Sequence, residues 1–342
     1  MSETLIKNSL KILVVGLGSM GKRRIRNLQH LNQNDVIGFD PRDDRCKESF
    51  EKYGINTFND ITFALEEKPD VMIISTPPDL HMKYAKISLE NKIHFFTEAS
   101  VPNHDMEDVI GMLKKSDKIG LPSCTMRYHP IVNQIRDLLN KNIIGQPLSF
   151  IYHSGQYLPD WHPWEDYRKF YVSKRETGAC REIVPFELVW LIDLFGKVKT
   201  VTGRKSKISN LEAEIDDIYN VLLEFDNGLE ATITVDVIAR FPYRQMKILG
   251  ETGVIFADWS ERIVKYFTKE EGWNENKIDD GIVERGYIHG EGPYIEEMSS
   301  FLQIIQNKIK QPYTFEEDLQ ILKILEAIES SSDKGTREFI NK

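Results

Sequence analysis

Residues 10–40 read LKILVVGLGSMGKRRIRNLQHLNQNDVIGFD, and this stretch decides the fold. Ile12–Val15 is an apolar run rich in β-branched residues and without a helical period, which predicts a buried strand. A glycine turn, Gly16–Gly21, follows directly, and Lys22–Leu31 predicts a helix. The stretch closes on a second short apolar run and an acidic residue. This order is typical of a dinucleotide-binding unit.

The glycines have separate physical roles in such a turn. Gly16 permits the tight bend, Gly18 lets the backbone approach a pyrophosphate, and Gly21 lets the helix pack closely on the strand. Ser19 and Met20 complete the turn at the start of the helix. The N–H groups of a helix N-terminus favour phosphate, so these five residues are predicted to bind the cofactor.

The acid at the end of the second strand, Val36–Phe39, is Asp40, 19 positions after Gly21. A carboxylate there accepts the adenosine ribose hydroxyls and repels a 2′-phosphate, which favours NAD. Arg42 or Arg45 could instead bind a 2′-phosphate. NAD is therefore the predicted cofactor and NADP the alternative.

The predicted helix after the turn carries four basic residues, Lys22, Arg23, Arg24 and Arg26. A solvated basic face is the simpler interpretation. The alternative is that one arginine reaches the cofactor phosphates, although the backbone already supplies those contacts.

Composition excludes several classes of protein. A chain of 342 residues suggests two domains, and its net charge of −9 does not fit a nucleic-acid-binding protein. No run of 18 apolar residues exists, so no membrane span is expected, and the first ten residues lack the apolar segment of a signal peptide. Cys46, Cys124 and Cys180 are too few and too scattered for a disulfide framework, which fits a cytoplasmic location. No cysteine and histidine spacing predicts a metal site.

The alternation of strands and helices continues to residue 125. Predicted helices are Asn59–Lys68, Met82–Asn91 and Val109–Ser116, and predicted strands are Val71–Ile74, Ile93–Phe96 and Ser123–Thr125. This rhythm predicts a doubly wound parallel sheet, a Rossmann domain over residues 1–125. Ligands bind outside the carboxyl ends of such strands, so further cofactor contacts are predicted at Ser75, Thr76, Pro77, His81 and Glu98.

Residues 126–342 show a different order of predicted strands and helices. Predicted strands are Leu148–Tyr152, Val198–Gly203, Tyr219–Phe225, Leu229–Val237, Met246–Leu249, Val254–Trp259 and Ile263–Phe267. Predicted helices are Pro130–Asn140, Tyr294–Ile309 and Phe315–Ser331, the last with a capping box of Thr314 and Glu317. Asp226–Gly228 is a hairpin signal, so a large, mostly antiparallel sheet is expected in an α+β domain. The last helix is a candidate to pack back on the Rossmann domain.

Residues 10–130 and the last helix resemble the Gfo/Idh/MocA oxidoreductases. The residues that carry the resemblance are Gly16–Gly21, Ser75–His81, Arg127–Pro130, Ile144-Gly145 and Glu316–Asp318. The resemblance implies NAD(P)-linked oxidation or reduction of a sugar or cyclitol hydroxyl by a homodimer or homotetramer that assembles through the large sheet. Asp160–Arg168 is similar to a sub-branch associated with sugar and surface-glycan biosynthesis, which implies a sugar or nucleotide-sugar substrate.

The sequence departs from this family at two functional positions. The family's Glu-Lys-Pro corresponds here to Glu98, Ala99 and Ser100, so the lysine that acts on the reacting hydroxyl is absent. The family's Asp and His, four apart on the first helix of the second domain, correspond to Glu182 and Phe186. Neither Ala99 nor Phe186 exchanges a proton, so another group must do so. Pro185, between the two helix positions, is expected to kink or break this helix.

Glu182, Tyr128 and His162 are the predicted catalytic residues, with Glu182 serving if burial raises its pKa. Further candidates for moving the proton are His129, His153, Arg181 and Glu187. The predicted substrate-binding residues are Arg127, Arg168, Arg181, Trp161 and Tyr167. Arg168 suits a phosphate or carboxylate of the substrate. Two structural alternatives stay open. Arg181 and Glu182 could form an ion pair or bind partners across the domain interface, and the aromatic loop, which carries Trp161, Tyr167 and Tyr171, could pack on the core.

Three functions are compatible with this pattern. The first is an NAD(P)-dependent sugar or nucleotide-sugar oxidoreductase with a rearranged acid–base set. The second is an epimerase, dehydratase or hydrolase that retains NAD. The third is a catalytically silent relative that binds a dinucleotide.

Overall fold

The computed structural model describes residues 10–161, 165–284 and 290–340. The chain divides into two compact units. Unit 1 comprises residues 1–123 and 294–317, and unit 2 comprises residues 124–293 and 318–342. The first unit thus takes in a segment near the C-terminus.

Unit 1 contains the alternation that the sequence predicts. Its elements up to residue 122 are β1 Ile12–Val15, α1 Ser19–His30, β2 Val36–Phe39, α2 Asp43–Tyr53, β3 Asn56–Phe58, α3 Ile61–Glu66, β4 Val71–Ile74, α4 His81–Glu90, β5 His94–Thr97, α5 Met106–Leu113 and β6 Gly120–Pro122. The six strands are parallel and lie in the order β3-β2-β1-β4-β5-β6. Because the order reverses at β1, the sheet has the doubly wound topology that binds dinucleotides.

The remaining elements follow in chain order. They are α6 Pro130–Asn140, β7 Pro147–Tyr157, α7 Cys180–Phe195, β8 Val198–Ser206, β9 Ile218–Phe225, β10 Glu230–Asp236, β11 Ile238–Gly250, β12 Gly253–Asp258, β13 Ile263–Thr268, β14 Gly272–Lys277, α8 Gly292–Ile305, α9 Phe315–Lys334 and β15 Glu338–Phe339. Short 3₁₀ turns lie between several of them. The predicted capping box is confirmed, because the Glu317 N–H donates to Thr314 Oγ1 and Glu317 Oε2 accepts from the Thr314 N–H.

The sheet of unit 2 has nine strands in the order β14-β13-β12-β11-β7-β10-β9-β8-β15. All neighbours are antiparallel except β7 and β10, which confirms the predicted large, mostly antiparallel sheet. Side chains alternate across each strand. On β7, Phe150 and Tyr152 are buried on the face that packs against α7, while Ile151 points to the opposite face and is exposed.

Several of the predicted strands and helices differ from those in the structure. The strand expected at Ser123–Thr125 lies at Gly120–Pro122, where its backbone pairs with β5, and Thr125–Tyr128 forms a 3₁₀ turn instead. The charged helix α2 was not predicted, because only Cys46 and Ser49 of its residues are buried. The break expected at Pro185 does not occur. A proline removes one backbone donor, and the largely buried surface of α7 compensates for that loss.

Two expected absences concern the described residues only. No helix among them is both long enough and apolar enough to cross a bilayer. The three cysteines are buried free thiols, in agreement with the prediction of no disulfide framework.

Candidate functional site

The glycine turn between β1 and α1 leaves no room for side chains. Gly16 adopts a φ of +90°, and a Cβ there would lie 2.5 Å from the Ser75 carbonyl oxygen. A Cβ on Gly21 would lie 1.8 Å from the Gly16 carbonyl oxygen. The first and last glycines therefore close the turn against the end of β4 and against α1, as the predicted fingerprint requires.

The start of α1 is open to an anion. Gly18 is its N-cap and provides no capping side chain, and no acidic residue lies in its first turn, which begins with Ser19 and Met20. The first N–H groups of a helix lack intrahelical partners and carry a partial positive charge. The residues present therefore fit the phosphates of a dinucleotide.

Asp40 completes this part of the site from the end of β2. It is 2% exposed, and its Oδ2 accepts the Leu17 N–H at 2.8 Å while its Oδ1 accepts the Arg42 N–H at 3.0 Å. Arg45 Nη1 lies 3.5 Å from Asp40 Oδ2 and 3.4 Å from the position of a Cβ on Gly18. The Arg42 side chain pairs instead with Asp44. Arg45 is thus the arginine that the fold places beside the glycine turn.

The loop after β4 carries the other predicted cofactor contacts. His81 is buried, with Nε2 3.0 Å from the Thr76 carbonyl oxygen and Nδ1 3.4 Å from Ser100 Oγ. Burial lowers the pKa of His81, so a neutral imidazole holds this loop. Pro77 precedes the 3₁₀ turn Pro78–Leu80 that leads into α4. Ser75 Oγ donates to Glu98 Oε1 at 3.0 Å and so connects the ends of β4 and β5.

Replacing Gly21 by alanine should weaken NADH binding and the fold together. The new Cβ would overlap the Gly16 carbonyl, and overpacking of this kind costs about 1–3 kcal/mol. The clash would move the N–H groups of the turn away from a phosphate, and losing one such hydrogen bond weakens binding about tenfold or more. Titration calorimetry and urea unfolding measure both effects. Gly111→Ala is the matched control, because nothing lies within 4 Å of its Cβ position in α5; equal losses in both variants would contradict the prediction.

Unit 2 contributes the group that the sequence proposed for proton transfer. Glu182 lies in the first turn of α7, and the Tyr171 hydroxyl donates to its Oε1 at 3.0 Å. Its Oε2 is enclosed and has no hydrogen-bond partner among the described residues. Burial raises the pKa of Glu182 to about 7, against the opposing effect of the Tyr171 hydrogen bond. A carboxyl with such a pKa exchanges protons near neutrality.

Compact backbone packing brings Tyr171 and Glu182 together. Thr177 Oγ1 donates to the Tyr171 carbonyl at 2.9 Å, and a Cβ on Gly178 would lie 2.2 Å from the Val172 carbonyl oxygen. Ala179, the N-cap of α7, has a φ of +54°, a region that costs energy for alanine. The chain thus brings Tyr171 over the start of α7. The sequence identified Tyr171 only as part of an ambiguous aromatic loop, and no spacing rule indicated its contact with Glu182.

Arg181 does not neutralise Glu182, although the two are adjacent in the chain. Its Nε donates to Glu329 Oε1 at 2.8 Å, and its Nη1 donates to the Glu176 carbonyl at 2.7 Å. Consecutive helical residues point in different directions. The structure thus pairs Arg181 with Glu329 and not with Glu182 as predicted, which leaves the pKa of Glu182 under the control of burial.

Glu187, another candidate, is a structural residue by its contacts. Its Oε2 accepts from the Tyr152 hydroxyl at 2.6 Å and from Trp190 Nε1 at 2.8 Å, and its Oε1 accepts from Arg244 Nε at 2.8 Å. The carboxylate is fully buried. Because three donors already satisfy it, it is an anchor between α7 and the sheet rather than a proton carrier.

Three candidates around residue 128 have different surroundings. Arg127 donates to the Val189 carbonyl at 3.3 Å and pairs with Asp193 at 3.3 Å. Tyr128 is half-buried, in the 3₁₀ turn Thr125–Tyr128 that packs against α7. His129 caps α6 by accepting the Ile131 N–H at 3.2 Å, and burial with the nearby Arg244 and Arg262 charges lowers its pKa to about 3.

The predicted substrate loop is only partly described, since His162 lies outside the described residues. Trp161 follows the 3₁₀ turn Leu158–Asp160. The Tyr167 hydroxyl accepts the Glu212 N–H at 3.1 Å. Arg168 is half exposed and pairs with Asp166 at 2.8 Å and Glu212 at 2.5 Å. These contacts fasten the loop to the segment between β8 and β9.

An open groove of about 670 Å³ lies beside Arg168 in unit 2. Its charged lining residues are Arg168, Lys174, Arg175, Lys207, Glu176, Glu212 and Glu214. Arg168 is paired with Asp166 and Glu212, and Arg175 lies 3.6 Å from Asp216, so neighbouring acids already compensate these two cations.

His153 lies on the other side of the sheet. It is on the face of β7 opposite Tyr152, with Nε2 2.7 Å from Asp236 Oδ2 and Nδ1 3.0 Å from the Tyr243 hydroxyl. The fold therefore separates His153 from Glu182 and α7. In the part of the chain that the structure describes, no group of acidic, histidine and cysteine side chains could hold a metal ion.

Two family descriptions match this chain, one in each unit. The description "Oxidoreductase family, NAD-binding Rossmann fold" matches residues 10–121, and "GFO/IDH/MocA C-terminal domain" matches residues 132–256. Oxidoreductase P35 of Formosa agariphila is 20% identical over 254 residues, which span 71% of this chain and 77% of that protein.

Solved structures share the fold. An Agrobacterium radiobacter oxidoreductase in complex with NAD⁺, L-tartaric acid and magnesium has a TM-score of 0.87 at 15% identity, covering 97% of this chain and 99% of the other. Levoglucosan dehydrogenase with NADH and levoglucosan has a TM-score of 0.83 at 18% identity, covering 97% and 100%. The matches confirm the predicted fold and the predicted NAD-type cofactor.

Proposed function

The chain belongs to the Gfo/Idh/MocA family of oxidoreductases and carries an NAD-binding Rossmann domain; from this premise we propose that it oxidises or reduces a sugar or nucleotide sugar at a hydroxyl or ketone. The bound nicotinamide would supply hydride chemistry. The residues that would hold the dinucleotide are the glycine turn, Asp40 and Glu98. The solved relative that binds levoglucosan supports a sugar as the substrate class.

The observation that carries the proposal is the state of Glu182. One carboxyl oxygen is held by Tyr171 at 3.0 Å, the other is enclosed without a partner among the described residues, and the pKa is about 7. In the oxidation direction, the Glu182 carboxylate would accept the proton of the substrate hydroxyl. In the reduction direction, protonated Glu182 returns that proton to the new alkoxide. This assignment replaces the family's missing lysine and histidine.

Nucleotide sugars, and a role in surface-glycan biosynthesis, are included in the proposal because Asp160–Arg168 is similar to the sub-branch associated with that chemistry. Arg168 lies on the groove of unit 2, where Asp166 and Glu212 compensate its charge. A phosphate of the substrate would therefore have to compete with these two carboxylates for Arg168.

The decisive experiment measures cofactor absorbance with a panel of neutral sugars, UDP-sugars and CMP-sugars, in both directions. Production or consumption of NADH that depends on one substrate class supports the proposal. Product formation detected by NMR without any net change in NADH would instead establish a redox-neutral reaction that retains NAD. No turnover with any member would leave only dinucleotide binding and would contradict the proposed activity.

A homodimer or homotetramer is the proposed assembly, formed through the open face of the large sheet. Leu222, Ile151 and Phe256 lie in one register row across this face, with Thr232 and Lys247 between them, and Leu222 and Ile151 are 56% and 53% exposed. Apolar side chains arranged this way favour an interface.

Changing Ile151 and Leu222 together to lysine should convert the oligomer to monomer, because charge is poorly tolerated in an interface core. Sedimentation velocity measures the change. The control is Ile208→Lys, which alters an exposed apolar side chain in the loop after β8. A monomeric wild type, or an oligomer that survives the double change, would contradict the assignment.

A further inference from the structure

Arg24 is a charged side chain that unit 1 buries completely. It lies on α1 and is 0% exposed, contrary to the expected solvated basic face. Its Nε and Nη2 donate to the two carboxylate oxygens of Glu98 at 2.7 and 2.8 Å, and Nη2 also donates to Glu297 Oε2 at 2.8 Å. A buried guanidinium is unfavourable unless carboxylates compensate its charge, so these three side chains form one electrostatic unit.

Glu297 is the inner end of this cluster. It lies on α8, is fully buried, and accepts from Ser123 Oγ at 3.0 Å through Oε1. The Arg24 guanidinium carbon also lies 4.6 Å from the centre of the Phe96 ring and 5.5 Å from that of Tyr294. Contacts from α8, from the end of β6 and from two aromatic rings therefore hold the guanidinium in one position.

Glu98 is the outer end and reaches the surface, with 13% of its side chain exposed. It follows β5, at the sheet edge that the glycine turn also occupies. Ser75 connects the two places, because its hydroxyl donates to Glu98 at 3.0 Å while its carbonyl closes on Gly16. One carboxylate, Glu297, is enough to compensate the charge of the buried Arg24 guanidinium. The second carboxylate, Glu98, faces the surface, which leaves it available to a ligand.

The strand order indicates what Glu98 would meet. Asp40 follows β2 on one side of β1, and Glu98 follows β5 on the other side, beyond β4. A dinucleotide lies across the carboxyl edge of the sheet at this reversal. With the adenosine ribose at Asp40, the second ribose lies on the side of β4 and β5.

We propose that Arg24 is a positioning residue for the cofactor: its two-pronged contact fixes the orientation of the Glu98 carboxylate, so that Glu98 accepts a hydroxyl of the nicotinamide ribose. Glu297 and Ser123 hold Arg24 in turn. Because Arg24 is fully buried, it contacts Glu98 from the interior without occupying the ligand's space.

The charges around Glu98 agree with this role. Burial lowers the pKa of the Arg24 guanidinium, but Glu98 and Glu297 more than reverse the effect, so the pKa lies above its usual value. His81 is the other titratable group near Glu98, and burial lowers its pKa against the opposing Glu98 charge. The cation that faces Glu98 is therefore Arg24, and it stays charged at every working pH.

Titration calorimetry with three probes tests the proposal: NAD⁺, ADP-ribose and ADP. Glu98→Gln should weaken NAD⁺ and ADP-ribose about tenfold, the value of a hydrogen bond to a charged group, and leave ADP unchanged because ADP ends before the second ribose. Asp40→Asn is the matched control and should weaken all three. Glu98→Gln retains the neutral Arg24–Glu297 pair, so it should fold.

Two further variants test Arg24 itself. Arg24→Lys keeps the charge and loses the two-pronged contact, and it should weaken NAD⁺ and ADP-ribose but not ADP. In the double variant Arg24→Gln with Glu297→Gln, Glu98 loses the guanidinium that holds it, and Glu297 no longer leaves an uncompensated buried charge. NAD⁺ and ADP-ribose should then bind more weakly, while ADP affinity should stay unchanged.

Equal weakening of all three probes, with a lower melting temperature, would show that Arg24 only braces the fold. Unchanged NAD⁺ binding in Glu98→Gln would also overturn the proposal. Both readouts are binding measurements without substrate, so their failure leaves the proposed oxidoreductase activity untouched, and failure of that activity leaves them interpretable.

Discussion

Replacing Glu182 by glutamine should lower kcat by about 10²–10⁴-fold, the usual contribution of a positioned proton carrier. Glutamine has the same shape and still accepts from the Tyr171 hydroxyl, but it exchanges no proton. The wild-type rate of oxidation should rise with pH through about 7, the pKa of Glu182, and the variant should lack this inflection. Steady-state kinetics across pH, with the substrate identified by the panel, measure both effects.

Tyr171→Phe provides an internal check on this assignment. The hydrogen bond from Tyr171 lowers the pKa of Glu182, so its removal should move the inflection to higher pH while retaining turnover. Unchanged activity in Glu182→Gln, or an inflection that persists in that variant, would exclude Glu182 as the proton carrier.

The same carboxyl predicts a pH effect on stability. Its pKa rises from 4.5 in the unfolded chain to about 7 in the folded protein, so folding favours the protonated form. Between these values the folded state binds the extra proton, and stability falls as pH rises. Glu182→Gln removes this loss. Urea unfolding should therefore show the variant gaining stability relative to wild type on going from about pH 5 to about pH 8.

Replacing Glu187 by glutamine should have the opposite pattern, a loss of stability of about 3 kcal/mol, because the buried Arg244 guanidinium loses the carboxylate that compensates its charge. The two other donors, Tyr152 and Trp190, would keep an acceptor of lower strength. Urea unfolding measures the loss. Any remaining folded enzyme should keep its pH inflection, since Glu182 is unchanged.

A double variant separates charge from packing at this position. Combining Glu187→Gln with Arg244→Met removes the uncompensated guanidinium, while the glutamine oxygen still accepts from Tyr152 and Trp190, and should recover part of the lost stability. A Glu187→Gln protein that is as stable as wild type but inactive would instead move the catalytic role from Glu182 to Glu187. Glu182 and Glu187 lie on one helix, so the two single variants serve as controls for each other.

The elements that short-range patterns specify were predicted well. The first strand, the glycine turn and Asp40 lie where the sequence placed them, because a buried strand, a tight turn and a helix start each depend on neighbouring residues. The bounds of α6 are also as predicted. Strand β14 was missed because its residues Gly272–Lys277 are mostly polar and give no apolar alternation, although its partner β13 directly precedes it.

The candidate site also has features that the sequence indicated and features that it did not. Glu182 could be named from the sequence, but the proton-transfer role that we propose for it depends on Tyr171, on the enclosure of Oε2 and on the pairing of Arg181 with Glu329. The basic run on α1 suggested a solvated face. An arginine on a helix that must pack on a sheet was the available signal, but its partner Glu297 lies 273 residues away.

The sequence by itself determined the dinucleotide-binding unit and the two-part α/β architecture. It also indicated the absence of the family's lysine and histidine. All of these depend on residue identity and on the spacing of neighbouring residues. Only the tertiary structure decided which charges are buried and which partners they have. Burial and pairing set both the pKa of Glu182 and the orientation of Glu98, and both depend on side chains that folding brings together from distant parts of the chain.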